Sequence, residues 1–222
     1  MSTTTDPLAP VLAPTEFLDW QHPAVQSFAQ DAAGDARDPT ERAVRLYYAV
    51  RDGLQYEVFG QSLTREGLRA STILARGEGF CAHKSILYAA AARALGIPSR
   101  VAVGEVRNHL SSPRLQALVG GDLFVHWFAS IHLEGRWLDV TPVFNGLLCR
   151  LYGLPPLEFD GTGHAKVHPY RDGAEMEFVT EHGAFDDVEY DHLIGLMRAR
   201  HPGMFAADGI VPAPAPAPGL RR

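Results

Sequence analysis

Cys81 is one of two cysteines in a chain of 222 residues. It stands in "EGFCAHKSILYAAAARALGIPSRV", just after Gly77 and Gly79 and at the mouth of an alanine-rich segment. A thiol in the first turn of a helix meets unpaired backbone N–H groups and the positive end of the helix dipole, and both favour the thiolate. With a cationic neighbour such a thiol falls from about 8.5 to about 3.5–7.5 and becomes a nucleophile. The same N–H groups can cradle an oxyanion. The plainer reading is packing, since free cysteine is often buried. A nucleophilic cysteine needs a base, usually histidine, within hydrogen-bond reach. His83 lies two residues on, roughly 200° around a helix, and points away. His109 falls in a loop pattern. His126 sits inside the strand pattern "LFVHWFASIHL", framed by Val125 and Trp127.

The elements that must position these residues divide at Pro98. Before it the chain reads as helices: Ala24 to Ala33; a second opened by Asp38 as N-cap, Pro39 at the first position and Glu41 completing a capping box; a third from Ser71 to Gly77; and a fourth from Phe80 to Gly96, stopped by Gly96 and Pro98. The alanines of the fourth mark it as the central buried helix. After Pro98, "SRVAVGEV", "LFVHWFASIHL" and "RWLDVTPVF" alternate, the last two joined by Glu134-Gly135 as a hairpin. Helices first and strands afterwards indicate an α+β fold. From Gly146 to Val211 the signals are mixed, with one further helix in "YDHLIGLMRARH". Residues 1–14 read as a flexible N-terminal arm, residues 15–208 as one domain, and residues 209–222, rich in Pro and Ala, as a disordered tail.

Composition narrows the function. Apolar residues make up 46% and charged residues 21%, an ordinary globular mixture. A formal charge of −6 argues against a nucleic-acid partner. No apolar run is long enough for a membrane span, and the opening residues lack the pattern of a secretory signal. Two cysteines, Cys81 and Cys149, do not make a disulfide framework, and the chain reads as cytoplasmic with free thiols.

Taken together, "GEGFCAHKSILYAAAARALGIPSRVAVGEV" and "HWFASIHLEGRW" resemble the bacterial transglutaminase-like superfamily, a branch of the papain-like cysteine enzymes. Cys81, the run Arg93-Ala94-Leu95-Gly96-Ile97-Pro98-Ser99-Arg100, His126 and Gly135-Arg136-Trp137 match its pattern in order and spacing, over roughly residues 40–145. The resemblance implies a papain-like, transglutaminase-like α+β core with N-terminal helices packed on an antiparallel β-sheet. It further implies a Cys81–His126 pair that attacks an amide or ester carbonyl through a thioester, with a protein or peptide amide as substrate and no cofactor. Hydrolysis (peptidase or amidase) is favoured over transamidation because water is always present.

The pattern departs at its third position. The family's aspartate, four residues after the tryptophan, is here Thr141, followed by Pro142; the nearest acid is Asp139. With Leu133 opposite Arg136, Thr141 lies opposite Phe128 and diagonal to His126. Asp139 lies opposite Ser130, more than roughly 10 Å away at about 3.3 Å per residue. Thr141 has the position without the charge, Asp139 the charge without the position, and Asn145 is a further candidate. This departure supports the alternative of a non-catalytic binding or scaffold module. His164 and His168 are four apart, as metal ligands on a helix can be, but glycines around them argue for a loop and against a metal. Cys149, in "GLLCRLYGL", reads as buried. The acidic run "FDDVEYDH" reads as turns and solvated surface.

Overall fold

The run Ala89–Ala92 lets neighbours approach one helix from every direction, so that helix takes the middle of the molecule. In the computed structural model, which describes residues 7–108, 111–170 and 175–205, α4 (Cys81–Ala94) is buried at every residue from Ala82 to Arg93. Around it pack α1 (Pro23–Ala33), α2 (Pro39–Gly53) and α3 (Ala70–Arg76), together with a sheet. The architecture is α+β, as the sequence implies.

Local chemistry sets the helix ends. The Asp38 side chain accepts the Thr40 N–H at 2.8 Å, with Pro39 at the first helical position. The expected capping box is incomplete, because Glu41 instead accepts from Arg45 at 2.7 Å, one turn further on. Gly77 closes α3 with φ +68°, a left-handed conformation that favours glycine.

The sheet contains β3 (Ser99–Arg107), β4 (Leu123–Leu133), β5 (Arg136–Val140) and β6 (Glu177–Phe185), all antiparallel, in the order β5-β4-β3-β6. A separate parallel pair joins β1 (Gln55–Tyr56) to β2 (Glu78–Gly79). The β4–β5 hairpin has the register read from sequence: Leu133 faces Arg136 and Ser130 faces Asp139. Its turn residues Glu134 and Gly135 both have positive φ, +48° and +78°, the geometry of a two-residue hairpin turn. The ladder stops after Val140 for a chemical reason. Continuing the register would place Pro142 opposite Trp127, and proline has no N–H to give.

Three elements after Pro98 escaped the pattern reading: α5 (Pro113–Val119), α6 (Gly146–Tyr152) and β6. The edge strand β6 is mostly exposed and contains Gly183, so it lacks a clean two-residue period. In α6 only Cys149 is buried, whereas Leu147 and Leu151 are 59% and 74% exposed. The chain ends its described part with α7 (Tyr190–Arg200) and a 3₁₀ turn at Pro202–Phe205. Part of the segment expected to be a loose arm is docked. Val11 is buried and its carbonyl accepts the Ser99 N–H at 3.0 Å, while the Ala13 carbonyl accepts from Arg93 at 2.6 Å. Residues 1–6 and the 209–222 tail lie outside the described residues. Among the described residues no helix is long and apolar enough to cross a membrane.

Candidate active site

Cys81 is the first residue of α4, and Phe80, its N-cap, offers no side-chain cap. The first intrahelical bond runs from Lys84 N–H to the Phe80 carbonyl at 3.0 Å, so the amides before it are free to serve the site. Those of Cys81 and Ala82 lie near the sulfur, as does that of Trp127 on β4. Gly79 makes this tight entry possible: a Cβ there would meet the His83 side chain at 2.5 Å. His83 itself turns away as expected. It is buried, and its Nε2 contacts the Ser62 carbonyl at 3.0 Å.

The end of β5 is what brings α4 to β4. Residues 133, 131 and 129 direct their backbone groups towards β5, and 127 is next in that alternation. Deprived of a partner at Pro142, the Trp127 carbonyl accepts from Ser85 Oγ at 3.1 Å, and its N–H is left for the Cys81 sulfur. The helix bearing the thiol is thereby fixed one residue from His126. Cys81 and His126 line one small cavity of about 50 Å³ together with Tyr56 and Phe80.

His126 is buried between two rings. Phe128 stacks at 6.3 Å and Phe178 meets it edge-on at 5.9 Å. Phe178 fits because the residue opposite His126 is Gly104, where a Cβ would come within 3.1 Å of the Phe178 ring. The His126 Nε2 lies 3.4 Å from Thr141 Oγ1. Thr141 Oγ1 also donates to the Lys166 carbonyl at 3.0 Å. A carbonyl can only accept, so the threonine proton is committed there and its oxygen accepts from Nε2–H. This fixes the tautomer and leaves Nδ1 unprotonated.

Asp139 is elsewhere. Its Oδ2 lies 3.6 Å from Lys166 Nζ and 4.0 Å from His164 Nδ1. It sits opposite Ser130, and of the three residues weighed for this place Thr141 is the one in hydrogen-bond contact with His126. Asn145 is also committed, as the cap of α6, accepting the Leu148 N–H at 2.8 Å. Lys166 also pairs with Glu181, and its ammonium rests 4.4 Å above Phe128 and 4.3 Å above Phe178. Where a carboxylate was sought beside the imidazole, a cation lies nearby.

Electrostatics follow from this environment. Burial pushes the Cys81 thiol up to about 11, against the opposing pull of the nearby amides. Burial, followed by the Lys166 charge and His168, pushes His126 down to about 3. Both shifts favour a neutral thiol beside a neutral imidazole at rest, against the pull of the helix mouth towards the thiolate.

Tyr56 went unnoticed in the sequence. It lines the cavity with Cys81, and burial and the sulfur both raise its phenol well above the usual range. Its place is set by the β1–β2 pair, in which Tyr56 lies opposite Gly79, and by Phe144, edge-on at 5.0 Å. The signal was present only as a tyrosine three residues after α2, too short a stretch to read as a strand. His168 is buried, 5.0 Å from the Phe144 ring, and His164 Nδ1 accepts the Asp139 N–H at 3.0 Å. Among the described residues no group of three potential ligands could hold a metal. Both cysteines are free, and the Cys149 thiol is buried against the Phe144 carbonyl at 3.8 Å.

Comparison with curated proteins yields no match. Among solved structures, the chain resembles a candidate cysteine protease from Cytophaga hutchinsonii, with 19% identity and a TM-score of 0.46 over 63% of this chain and 43% of that one. It also resembles a candidate protease from Parabacteroides distasonis, with 16% identity and a TM-score of 0.39 over 62% and 27% of the two chains. A third likeness is to a TGase, with 18% identity and a TM-score of 0.36 over 57% and 32%. The chain spans less than half the length of each. The model of the transglutaminase-like superfamily matches residues 26–142, more than half of the chain, from α1 through Cys81 and His126 to Pro142. The chain belongs to the transglutaminase-like superfamily.

Proposed function

We propose that the protein is a cysteine-dependent acyl-transfer enzyme that cleaves an amide or ester carbonyl, with hydrolysis as the main outcome. The observation that supports this most directly is the shared cavity of Cys81 and His126, with the imidazole held in the tautomer that a general base needs. His126 Nδ1 takes the thiol proton as sulfur attacks the carbonyl carbon. The carbon–nitrogen bond breaks, His126 delivers the proton to the departing amine, and a thioester remains on Cys81. Water then attacks the thioester with His126 again as base, giving the acid and the free thiol. Transamidation replaces that water with an amine.

The amides of Cys81 and Trp127 and the Tyr56 hydroxyl are the donors for the oxyanion formed in each step. Tyr56 keeps its proton at any working pH because its phenol is raised. Peptide or protein amides are the substrate class that the family suggests. Thr141 serves as a positioning residue for His126, in the place where the family uses an acid.

A second reading, a binding module without turnover, draws on the neutral thiol–imidazole pair and on Lys166. One experiment separates the two. The protein is incubated with activated acyl esters and peptide amides, and intact mass is followed. An acyl adduct on Cys81 that forms and decays, is abolished by Cys81→Ala and is slowed by His126→Ala supports the enzyme. Absence of any adduct across the ester series selects the binding module.

A further inference from the structure

Beside the cavity of Cys81 and His126 lies a second, larger one of about 320 Å³. The two adjoin, sharing the walls formed by Tyr56, Val58, Leu115 and Phe144, so the larger cavity lies next to the one that holds the nucleophile. Phe59, Leu148, Tyr152 and Tyr170 complete a lining that is mostly aromatic and aliphatic. Its volume is at the lower end for a ligand site and suits one bulky side chain rather than an extended cofactor.

The polar groups on the wall are mostly occupied. Ser112 Oγ accepts the Leu115 N–H at 3.2 Å, Ser111 Oγ donates to the Asn108 carbonyl at 2.9 Å, and Tyr170 donates to Asn108 Oδ1 at 3.2 Å. Glu57 accepts the Phe59 N–H at 2.7 Å. Arg114 is the exception. Its guanidinium lies 4.1 Å over the Phe59 ring and forms no ion pair with any described residue. A planar cation seated over an aromatic ring can still present N–H groups to a carboxylate.

We infer that this cavity is the specificity pocket of the proposed enzyme: it takes a bulky aromatic side chain of a peptide acyl donor, next to the reacting carbonyl, while Arg114 binds a neighbouring carboxylate. The inference rests on the proposed acyl transfer for its direction along the substrate, but the pocket binds whether or not the reaction proceeds. The carboxylate comes either from an acidic side chain or from the peptide's own C-terminus; both present the same group to Arg114.

The test uses the full chain and matched synthetic peptides that carry Phe or Ala beside the reacting amide, then Glu, Gln or Lys, each as C-terminal acid or amide. Acylation kinetics at Cys81 are followed by mass, and binding to Cys81→Ala protein by calorimetry. Phe is expected to exceed Ala by roughly ten- to a hundredfold in kcat/KM, and Glu to exceed Gln by about fivefold. If the acid advantage persists in the Gln peptide only with a free C-terminus, the terminus is the source. Arg114→Glu is expected to reverse the order so that Lys exceeds Glu, an outcome that misfolding does not produce. Leu148→Trp, which fills the cavity, is expected to abolish the Phe advantage.

Cys81 acylation with equal rates for Phe and Ala overturns the pocket and leaves the enzyme reading intact. Preferred binding of the Phe–Glu peptide to Cys81→Ala protein, with no acylation of the unaltered chain, does the reverse. Neither binding nor acylation overturns both.

Discussion

The His126 imidazole and the Thr141 hydroxyl meet at 3.4 Å across the end of the β4–β5 hairpin, and the threonine proton is already spent on the Lys166 carbonyl. Thr141→Val removes the acceptor for Nε2–H while keeping the shape. It is expected to lower kcat about fivefold to tenfold with little change in KM, the size of one neutral hydrogen bond. Steady-state kinetics on an ester substrate check this; an unchanged kcat would detach Thr141 from the site. Thr141→Asp is expected to raise the His126 proton affinity, because an adjacent carboxylate favours the imidazolium.

Burial raises the Cys81 thiol to about 11, which favours the protonated form in the substrate-free protein over the neutral range. Iodoacetamide is therefore expected to react slowly at Cys81 at pH 6 to 8 and to accelerate only as pH climbs towards 11. The rate is read from the mass of the Cys81 peptide. An onset near pH 6 would show an ion pair at rest and refute the neutral one.

Tyr56→Phe removes the phenol that, among the described residues, lines the Cys81 cavity and keeps the ring that meets Phe144. The expected loss is about a hundredfold in kcat, the typical effect of one oxyanion donor. The acylation burst and the steady rate are both measured. A variant whose KM alone rises would place Tyr56 in substrate binding instead.

Acid instability follows from four buried histidines. Burial lowers His83 and His168 to about 4 and His126 to about 3, against 6.5 in an unfolded chain, and lowers His201 in the same direction. Their folded proton affinities are depressed, so the unfolded chain binds more protons between about pH 3 and 6.5. Stability is then complete above pH 6.5 and declines as pH falls through the window. Urea midpoints from pH 7 to 4 are expected to fall with an uptake of more than one proton, to which His201 also contributes, and His83→Gln to reduce that uptake. A flat profile across the window would contradict these depressed values.

Lys84, one turn after Cys81, donates to the carbonyls of Arg51, Leu54 and Val143 at 2.7, 3.0 and 2.8 Å. It joins the end of α2 to the segment that follows Thr141. Lys84→Met strands three buried acceptors and is expected to cost about 3–5 kcal/mol in urea unfolding. A cost below about 1 kcal/mol would mean that water replaces the ammonium.

The sequence made the central helix and the β4–β5 register legible, because each depends on local grammar. Alanines, a Gly-Ile-Pro stop and a Glu-Gly turn act over a few residues. Thr141 could be placed from register alone, and the structure puts its hydroxyl against His126. What escaped depends on contacts distant in sequence. Tyr56 is fixed by pairing with Gly79, and Lys166, which bears on the imidazole, arrives from a loop forty residues after it. The elevated thiol was missed for the same reason, since desolvation by distant chain outweighs the helix mouth. Helix α6 escaped because its leucines lie on the surface and leave no buried stripe to read, although Cys149 is buried as its neighbours suggested.

The ammonium of Lys166, perched on two phenyl faces close to the imidazole, has a kinetic corollary. A ring crowded by fixed positive charge is loath to accept hydrogen, yet once loaded it surrenders it more eagerly than a free imidazolium. In the proposed acyl transfer such a site is sluggish to arm and quick to discharge: expulsion of nitrogen becomes the easy half of that cycle, and sulfur activation the gate.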